Sequence, residues 1–136
     1  MIHLLVNVDV DDLARGIAFY TRAFDLRLGR HLGPAAVELL GASSAMYLLA
    51  QPPGSRATAQ GGTRDYTRHW TPVHLDVVVR DVDAALVRAV AAGATAEGPI
   101  RDAAFGRLVR LADPFGNGLC LLQLVGRGYD EIAGTG

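Results

Sequence analysis

The chain has no lysine, only one cysteine and no long apolar segment. Its 13 basic residues, all arginine, face 14 acidic ones, and a net charge of -1 gives no field that would attract nucleic acid or an anionic membrane. A lone Cys120 excludes an internal disulfide and is typical of a reducing compartment. Neither a signal peptide nor a membrane span is indicated. We therefore expect a cytoplasmic protein with neither nucleic acid nor membrane as a partner.

The sequence does contain enough apolar residues for one core. Hydrophobic residues make up 50% of the 136, which suits one domain of ordinary size. Residues 71–82 form its clearest strand-to-helix start, with apolar residues alternating at period two before Asp81, a predicted helix N-cap. This alternation directs His74 and Asp76 to the same strand face.

The second half of the sequence repeats the first. A shift of 69 residues places Asp12 on Asp81 and Val8 on Val77 without a gap. Each half reads strand, helix and three strands, which predicts an α+β fold of two βαβββ modules. The predicted boundaries are module 1 at 1–51, a linker at 52–70, module 2 at 71–126 and a tail at 127–136, all within one domain.

The elements follow from periodicity and caps. Asp11 or Asp12 is expected to cap the first helix, and Gly93 to end a second helix that spans 82–92. The apolar stripe of the first helix is predicted at Leu13, Ile17, Tyr20 and Phe24. Further strands are predicted near 26–32, 35–40, 45–50, 95, 107–111 and 118–125.

The linker at 52–70 is rich in proline, glycine, threonine and arginine and lacks hydrophobic periodicity. Its end carries Tyr66 and Trp70, so we expect that part to be ordered against the body. Trp70 is predicted either to anchor the linker or to offer a surface on which a ligand stacks.

Four segments carry a resemblance to a known family: Phe19-Tyr20, 79–86, 91–94 and 113–124. In this order they resemble the vicinal oxygen chelate superfamily, which includes glyoxalase I, bleomycin-resistance proteins and extradiol dioxygenases. The resemblance covers roughly residues 4–125. It implies modules whose sheets curve into a cupped mixed β-sheet with the helices outside, and usually a homodimer.

The resemblance also implies four positions for metal ligands, two in each module. His74 matches, whereas Leu5, Cys120 and Tyr47 stand at the other three. Ions such as Mg²⁺ and Mn²⁺ require about six ligands, mainly oxygen, so the sequence predicts no metal cofactor. If a divalent metal does bind, His74 with Cys120 would hold it, with His3 as a conceivable displaced ligand.

Polar residues with apolar neighbours predict a small-molecule pocket. Two functions stay open: metal-independent binding of a small, aromatic molecule, or a lyase or isomerase that uses His74 with Asp76 for proton transfer or within a rearranged metal site. The predicted catalytic residues are His74 and Asp76. The predicted ligand-binding residues are Asn7, Tyr47, Leu49, Trp70, His74, Asp76, Cys120 and Leu122.

Overall fold

The computed structural model describes residues 1–134, which fall into two compact units that divide between Thr67 and Arg68. The N-terminal unit has one helix and four strands. Its sheet has the order β1-β4-β3-β2, with β1 parallel to β4 and the remaining pairs antiparallel. The elements are β1 (Val6–Val10), α1 (Leu13–Phe24), β2 (Arg27–His31), β3 (Ala36–Leu40) and β4 (Met46–Ala50).

The C-terminal unit repeats this arrangement. Its sheet has the order β5-β9-β8-β6, again with a parallel first pair, and β7 also pairs with β8. The α+β class and the two βαβββ modules are thereby confirmed. The elements are β5 (Leu75–Val78), α2 (Val82–Ala92), β6 (Thr95–Ala96), β7 (Arg101–Ala103), β8 (Gly106–Ala112) and β9 (Gly118–Leu124).

The strand β7 was not predicted from the sequence. Both β6 and β7 pair with β8, so they act as two pieces of one interrupted edge strand. The interruption contains Gly98, whose φ is +145°, followed by Pro99, which has no N–H to donate. The module thus keeps its predicted order of elements, although the edge strand is broken.

Both helices begin at aspartate caps. The Asp12 carboxylate accepts from the Arg15 backbone N–H at 3.0 Å, which settles the choice between Asp11 and Asp12. Asp81 caps α2 in the same way at 3.1 Å, and α2 ends before Gly93 as predicted. The fully buried residues of α1 are Gly16, Phe19, Tyr20 and Ala23, so its core-facing stripe is rotated from the predicted one.

Gly16 explains that rotation. A Cβ at this position would lie 3.1 Å from a methyl of Val10 and 3.2 Å from one of Leu48. Both neighbours are fully buried, so the glycine lets the helix backbone lie directly on β1 and β4. A hydrophobic-residue pattern gives no weight to glycine and therefore cannot place this contact.

The part of the linker up to Thr67 belongs to the N-terminal unit and folds onto it. Arg64 forms an ion pair with Asp9 at 2.7 Å, and the Tyr66 hydroxyl donates to the Gln51 carbonyl at 2.8 Å. The pKa of Tyr66 is raised, first by burial and then by the charge of Asp9. Arg64 and Tyr66 are thus held against the N-terminal unit.

The predicted tail at 127–136 begins with a 3-10 turn at Gly128–Glu131. Its last two residues, 135 and 136, lie outside the described part of the chain. Within residues 1–134, no helix is both long and apolar enough to cross a bilayer.

Candidate functional site

A cavity of about 150 Å³ opens on the sheet of the C-terminal unit. Its floor is a row of three residues on adjacent strands, because Asp76 of β5 pairs in register with Cys120 of β9, and Cys120 pairs with Arg110 of β8. Side chains paired in this way emerge on the same face of a sheet. The β5–β9–β8 register therefore brings a carboxylate, a thiol and a guanidinium together.

His74 completes the polar floor from the residue before β5. Its Nε2 lies 3.3 Å from Oδ1 of Asp76, so the two side chains of the predicted pair do meet. Each of these two side chains is about two-fifths exposed, whereas Cys120 is buried. The pKa of the Cys120 thiol is raised, first by burial and next by the charge of Asp76, whose carboxylate also accepts its S–H.

The possible metal-ligand atoms of His74, Asp76 and Cys120 lie within 4.8 Å of one another. Imidazole, carboxylate and thiolate form a set that suits zinc, which takes three protein ligands in catalytic sites, and not Mg²⁺ or Ca²⁺. The predicted metal ligands were His74 and Cys120, with His3 as a displaced third ligand, whereas the third group in the structure is Asp76. A metal here would first have to remove the proton from a thiol whose surroundings favour keeping it.

Arg68 and Glu97 close one side of the cavity. The guanidinium donates through Nε and Nη2 to the two carboxylate oxygens at 2.7 and 2.8 Å, a bidentate pair. Hydrogen bonding from Arg68 lowers the pKa of Glu97. The Arg68 side chain lies over Gly118, where a Cβ would come within 2.6 Å of Nη2, so a larger residue there would displace the guanidinium.

Three aromatic side chains line the cavity: Trp70, Phe105 and Tyr129. The Trp70 ring lies 6.1 Å from the His74 ring and is 65% exposed. Phe105 and Tyr129 lie 5.1 Å apart with their planes tilted by 34°. Tyr129 comes from the tail, which places its ring against the residue that precedes β8.

The structure brings five of the eight predicted ligand-binding residues to this one cavity: Trp70, His74, Asp76, Cys120 and Leu122. The other three, Asn7, Tyr47 and Leu49, belong to the N-terminal unit and remain predictions. Asn7 pairs in register with Tyr47 as Asp76 pairs with Cys120, which is the same repeat seen in the sequence.

Sequence reasoning missed Arg110, Phe105 and Tyr129. Arg110 could have been predicted from the sequence, because counting back from the tight turn at 113–117 pairs it with Cys120. Phe105 lies outside any periodic segment, and Tyr129 is in a tail without a pattern. Their contact depends on the fold of the tail, which no local signal announces.

Comparisons with known proteins agree with this architecture. The family model of the glyoxalase-like domain matches residues 5–122. An uncharacterized protein of Mycobacterium bovis is 38% identical over 136 aligned residues, which cover 90% of this chain and 84% of that protein. An uncharacterized Mycobacterium tuberculosis protein is also 38% identical, over 90% of this chain and 75% of its own length.

Solved structures share the fold at low identity. A glyoxalase/bleomycin resistance protein/dioxygenase family enzyme from Burkholderia phytofirmans superposes with a TM-score of 0.69 at 19% identity, over 89% of this chain and 97% of that one. TioX from a Micromonospora species superposes with a TM-score of 0.69 at 21% identity, over 92% of this chain and 100% of TioX. The fosfomycin resistance protein FosX from Listeria monocytogenes superposes with a TM-score of 0.68 at 19% identity, over 90% of this chain and 94% of FosX. With its fold and the matching family model, the chain belongs to the glyoxalase-like domain family of the vicinal oxygen chelate superfamily.

Proposed function

We propose that this glyoxalase/bleomycin-resistance-like protein binds a small aromatic molecule in the cavity of its C-terminal unit, without a metal. The observation that carries the proposal is the convergence of three aromatic side chains on the polar floor formed by His74, Asp76 and Cys120. Apolar walls with a few convergent polar groups are the usual form of a small-molecule site. The aromatic rings favour a planar ligand, because offset or tilted stacking adds to the area buried.

Binding without a metal is supported by how the floor residues satisfy one another. Asp76 accepts from Cys120 and lies 3.3 Å from Nε2 of His74. An ion would have to replace the Cys120–Asp76 hydrogen bond and the His74–Asp76 contact, and would take up a thiolate in place of a thiol. The resemblance implies four metal-ligand positions, and one of them is Leu5, whose side chain has no donor atom for a metal.

The test combines metal removal with ligand titration. Protein treated with EDTA is titrated with 2-naphthamide while the fluorescence of Trp70, the only tryptophan, is followed. We expect saturable quenching that persists without metal, and about tenfold weaker binding in Phe105→Ala, which loses one ring of the wall. A stoichiometric Zn²⁺, Mn²⁺ or Ni²⁺ that raises Tm and is lost in His74→Ala would contradict metal-free function.

A second candidate is a lyase or isomerase, which the 3.3 Å separation of His74 and Asp76 favours. A carboxylate next to an imidazole orients it for proton transfer. In D₂O, an enzyme of this kind would exchange the methyl protons of 2-acetylnaphthalene, as detected by NMR, and Asp76→Asn would slow the exchange at unchanged affinity. If the ligand binds but its protons exchange no faster than in buffer, the lyase or isomerase candidate is rejected and only the binding function remains.

We also propose that the protein works as a homodimer in the cytoplasm. The homodimer is supported by apolar side chains exposed on or beside the edge strands β1 and β5, such as Leu5 and Val78, each 60% exposed. The cytoplasm is supported by the single thiol, Cys120, which is free and buried.

A further inference from the structure

Of the charged and titratable side chains that line the cavity within residues 1–134, the arginine, histidine and acidic residues are paired with one exception. Arg68 pairs with Glu97, and His74 lies in ion-pair distance of Asp76. The Arg110 side chain lines the cavity and is exposed, yet it forms no hydrogen bond or ion pair with any residue in the described range 1–134. An arginine offers five N–H donors in a planar fork, so its donors remain available to a ligand.

The sheet register places Arg110 beside the other residues of the floor. Its strand neighbour in register is Cys120, which in turn pairs with Asp76. Its backbone carbonyl accepts from the Glu97 N–H at 2.8 Å, which holds the residue at the broken edge strand. Both nearby carboxylates already have partners, Glu97 in Arg68 and Asp76 in His74.

From this geometry we propose that the ligand is an aromatic carboxylate, with its ring held by Trp70, Phe105 and Tyr129 and its carboxylate on the Arg110 guanidinium. The proposal rests on the proposed binding function and narrows its ligand class. A planar carboxylate matches the guanidinium fork with two parallel hydrogen bonds. The aromatic wall and the unpaired cation line one cavity, so a single small molecule can reach both.

The experiment compares two probes that differ only in charge, 2-naphthoate and 2-naphthamide. Binding to the full-length protein is measured at low salt by quenching of Trp70 and, independently, by saturation-transfer NMR of the probe. We expect 2-naphthoate to bind about tenfold more tightly than the amide, since hydrogen bonds to charged groups are about twice as strong as neutral ones. In Arg110→Gln the preference should disappear.

Arg88→Gln is the matched control. Arg88 is exposed on α2 outside the cavity, so this variant changes the net charge equally but should keep the tenfold preference. Equal binding of both probes to the wild type, or a preference that survives in Arg110→Gln, overturns the carboxylate proposal while the aromatic-binding function stands. If neither 2-naphthoate nor 2-naphthamide binds, the carboxylate proposal and the aromatic-binding function are both overturned.

Discussion

At the scale of single residues, one buried carboxylate shows what a satisfied polar cluster looks like. Glu38 on β3 is only 6% exposed and accepts from Arg30 Nε at 3.0 Å, Arg30 Nη2 at 2.8 Å and the Tyr47 hydroxyl at 3.2 Å. These bonds, those from Arg30 foremost, lower its pKa from 4.5 to about 2. Gly29 leaves the space that its carboxylate fills.

The pKa of Glu38 predicts a pH-dependent contribution to stability. A carboxylate whose pKa is lower in the folded state stabilises the protein fully above its ordinary pKa of 4.5, and the contribution is lost as the pH falls toward 2. Glu38→Gln should therefore lower the free energy of unfolding at pH 7, and the difference from wild type should shrink between pH 5 and pH 2. Urea unfolding followed by circular dichroism at several pH values measures this.

Glu131→Gln is the control for this prediction. Glu131 pairs with Arg127 four residues away, at 3.2 Å, and the arginine side chain is 72% exposed. A surface pair of this kind contributes about 0–1 kcal/mol, so the variant should differ little from wild type at any pH. A Glu38→Gln difference that is as large at pH 2 as at pH 7 would contradict the assigned pKa.

At the scale of elements, the β8–β9 hairpin sets the geometry of the site. The turn between the strands is fixed by Asp113, whose Oδ1 accepts from the backbone N–H groups of Phe115 at 2.8 Å and Asn117 at 2.9 Å. Seven consecutive pairs follow, from Ala112 with Gly118 to Gly106 with Leu124. A slip of one residue would turn Arg110 and Cys120 to the opposite face.

Gly106, at the far end of this hairpin, tests that register. A Cβ there would overlap the backbone carbonyl of Gln123, which cannot move without breaking the ladder. Gly106→Ala should destabilise the protein by about 2–4 kcal/mol, as seen by urea unfolding. Gly62→Ala is the control, because a Cβ there meets nothing within 4 Å and its effect should stay within about 0.5 kcal/mol. Equal effects of the two changes would contradict the close contact at Gly106.

The elements also show how far the sequence could predict this molecule. Caps and alternation are local signals, so α2, its aspartate cap and the alternating exposure of β5 agree with prediction. The site was predictable where the repeat fixed register, as at His74, Asp76 and Cys120. Phe105 and Tyr129 meet only after the tail folds back, and the broken β6–β7 edge depends on pairing with β8, so neither leaves a local pattern.

At the scale of the whole molecule, the two units share one strand arrangement but place different side chains at corresponding positions. The row of paired residues is Asn7, Tyr47 and Glu38 in the N-terminal unit. The corresponding row in the C-terminal unit is Asp76, Cys120 and Arg110. The Glu38 carboxylate accepts four hydrogen bonds, three from Arg30 and one from Tyr47, whereas Arg110 at the corresponding place has a cavity beside it. Fold membership therefore does not fix function, which depends on the residues in each row.

Two of the edge strands, β1 and β5, give the molecule its last testable property. Large apolar residues beside or on β1 and β5 are exposed to solvent, including Leu4 at 76%, Leu5 at 60%, Val73 at 81% and Val78 at 60%. Unpaired strand edges with exposed apolar residues are surfaces that another chain can cover. A second copy of this chain is the partner we expect, because the net charge of -1 opposes self-association only weakly.

Light scattering after size exclusion should accordingly give the mass of two 14.4 kDa chains. Leu5→Asp and Val78→Asp, which place a charge beside an edge strand or on it, should each shift the mass toward one chain while the far-ultraviolet circular dichroism stays unchanged, since burying an unpaired carboxylate in an interface is costly. Val87→Asp is the control: Val87 is 71% exposed, but it lies on helix α2 and not on or beside an edge strand in sequence, so this variant should remain dimeric. A wild-type mass of one chain at high micromolar concentration, or dissociation by Val87→Asp alone, would show that the edges do not form the interface.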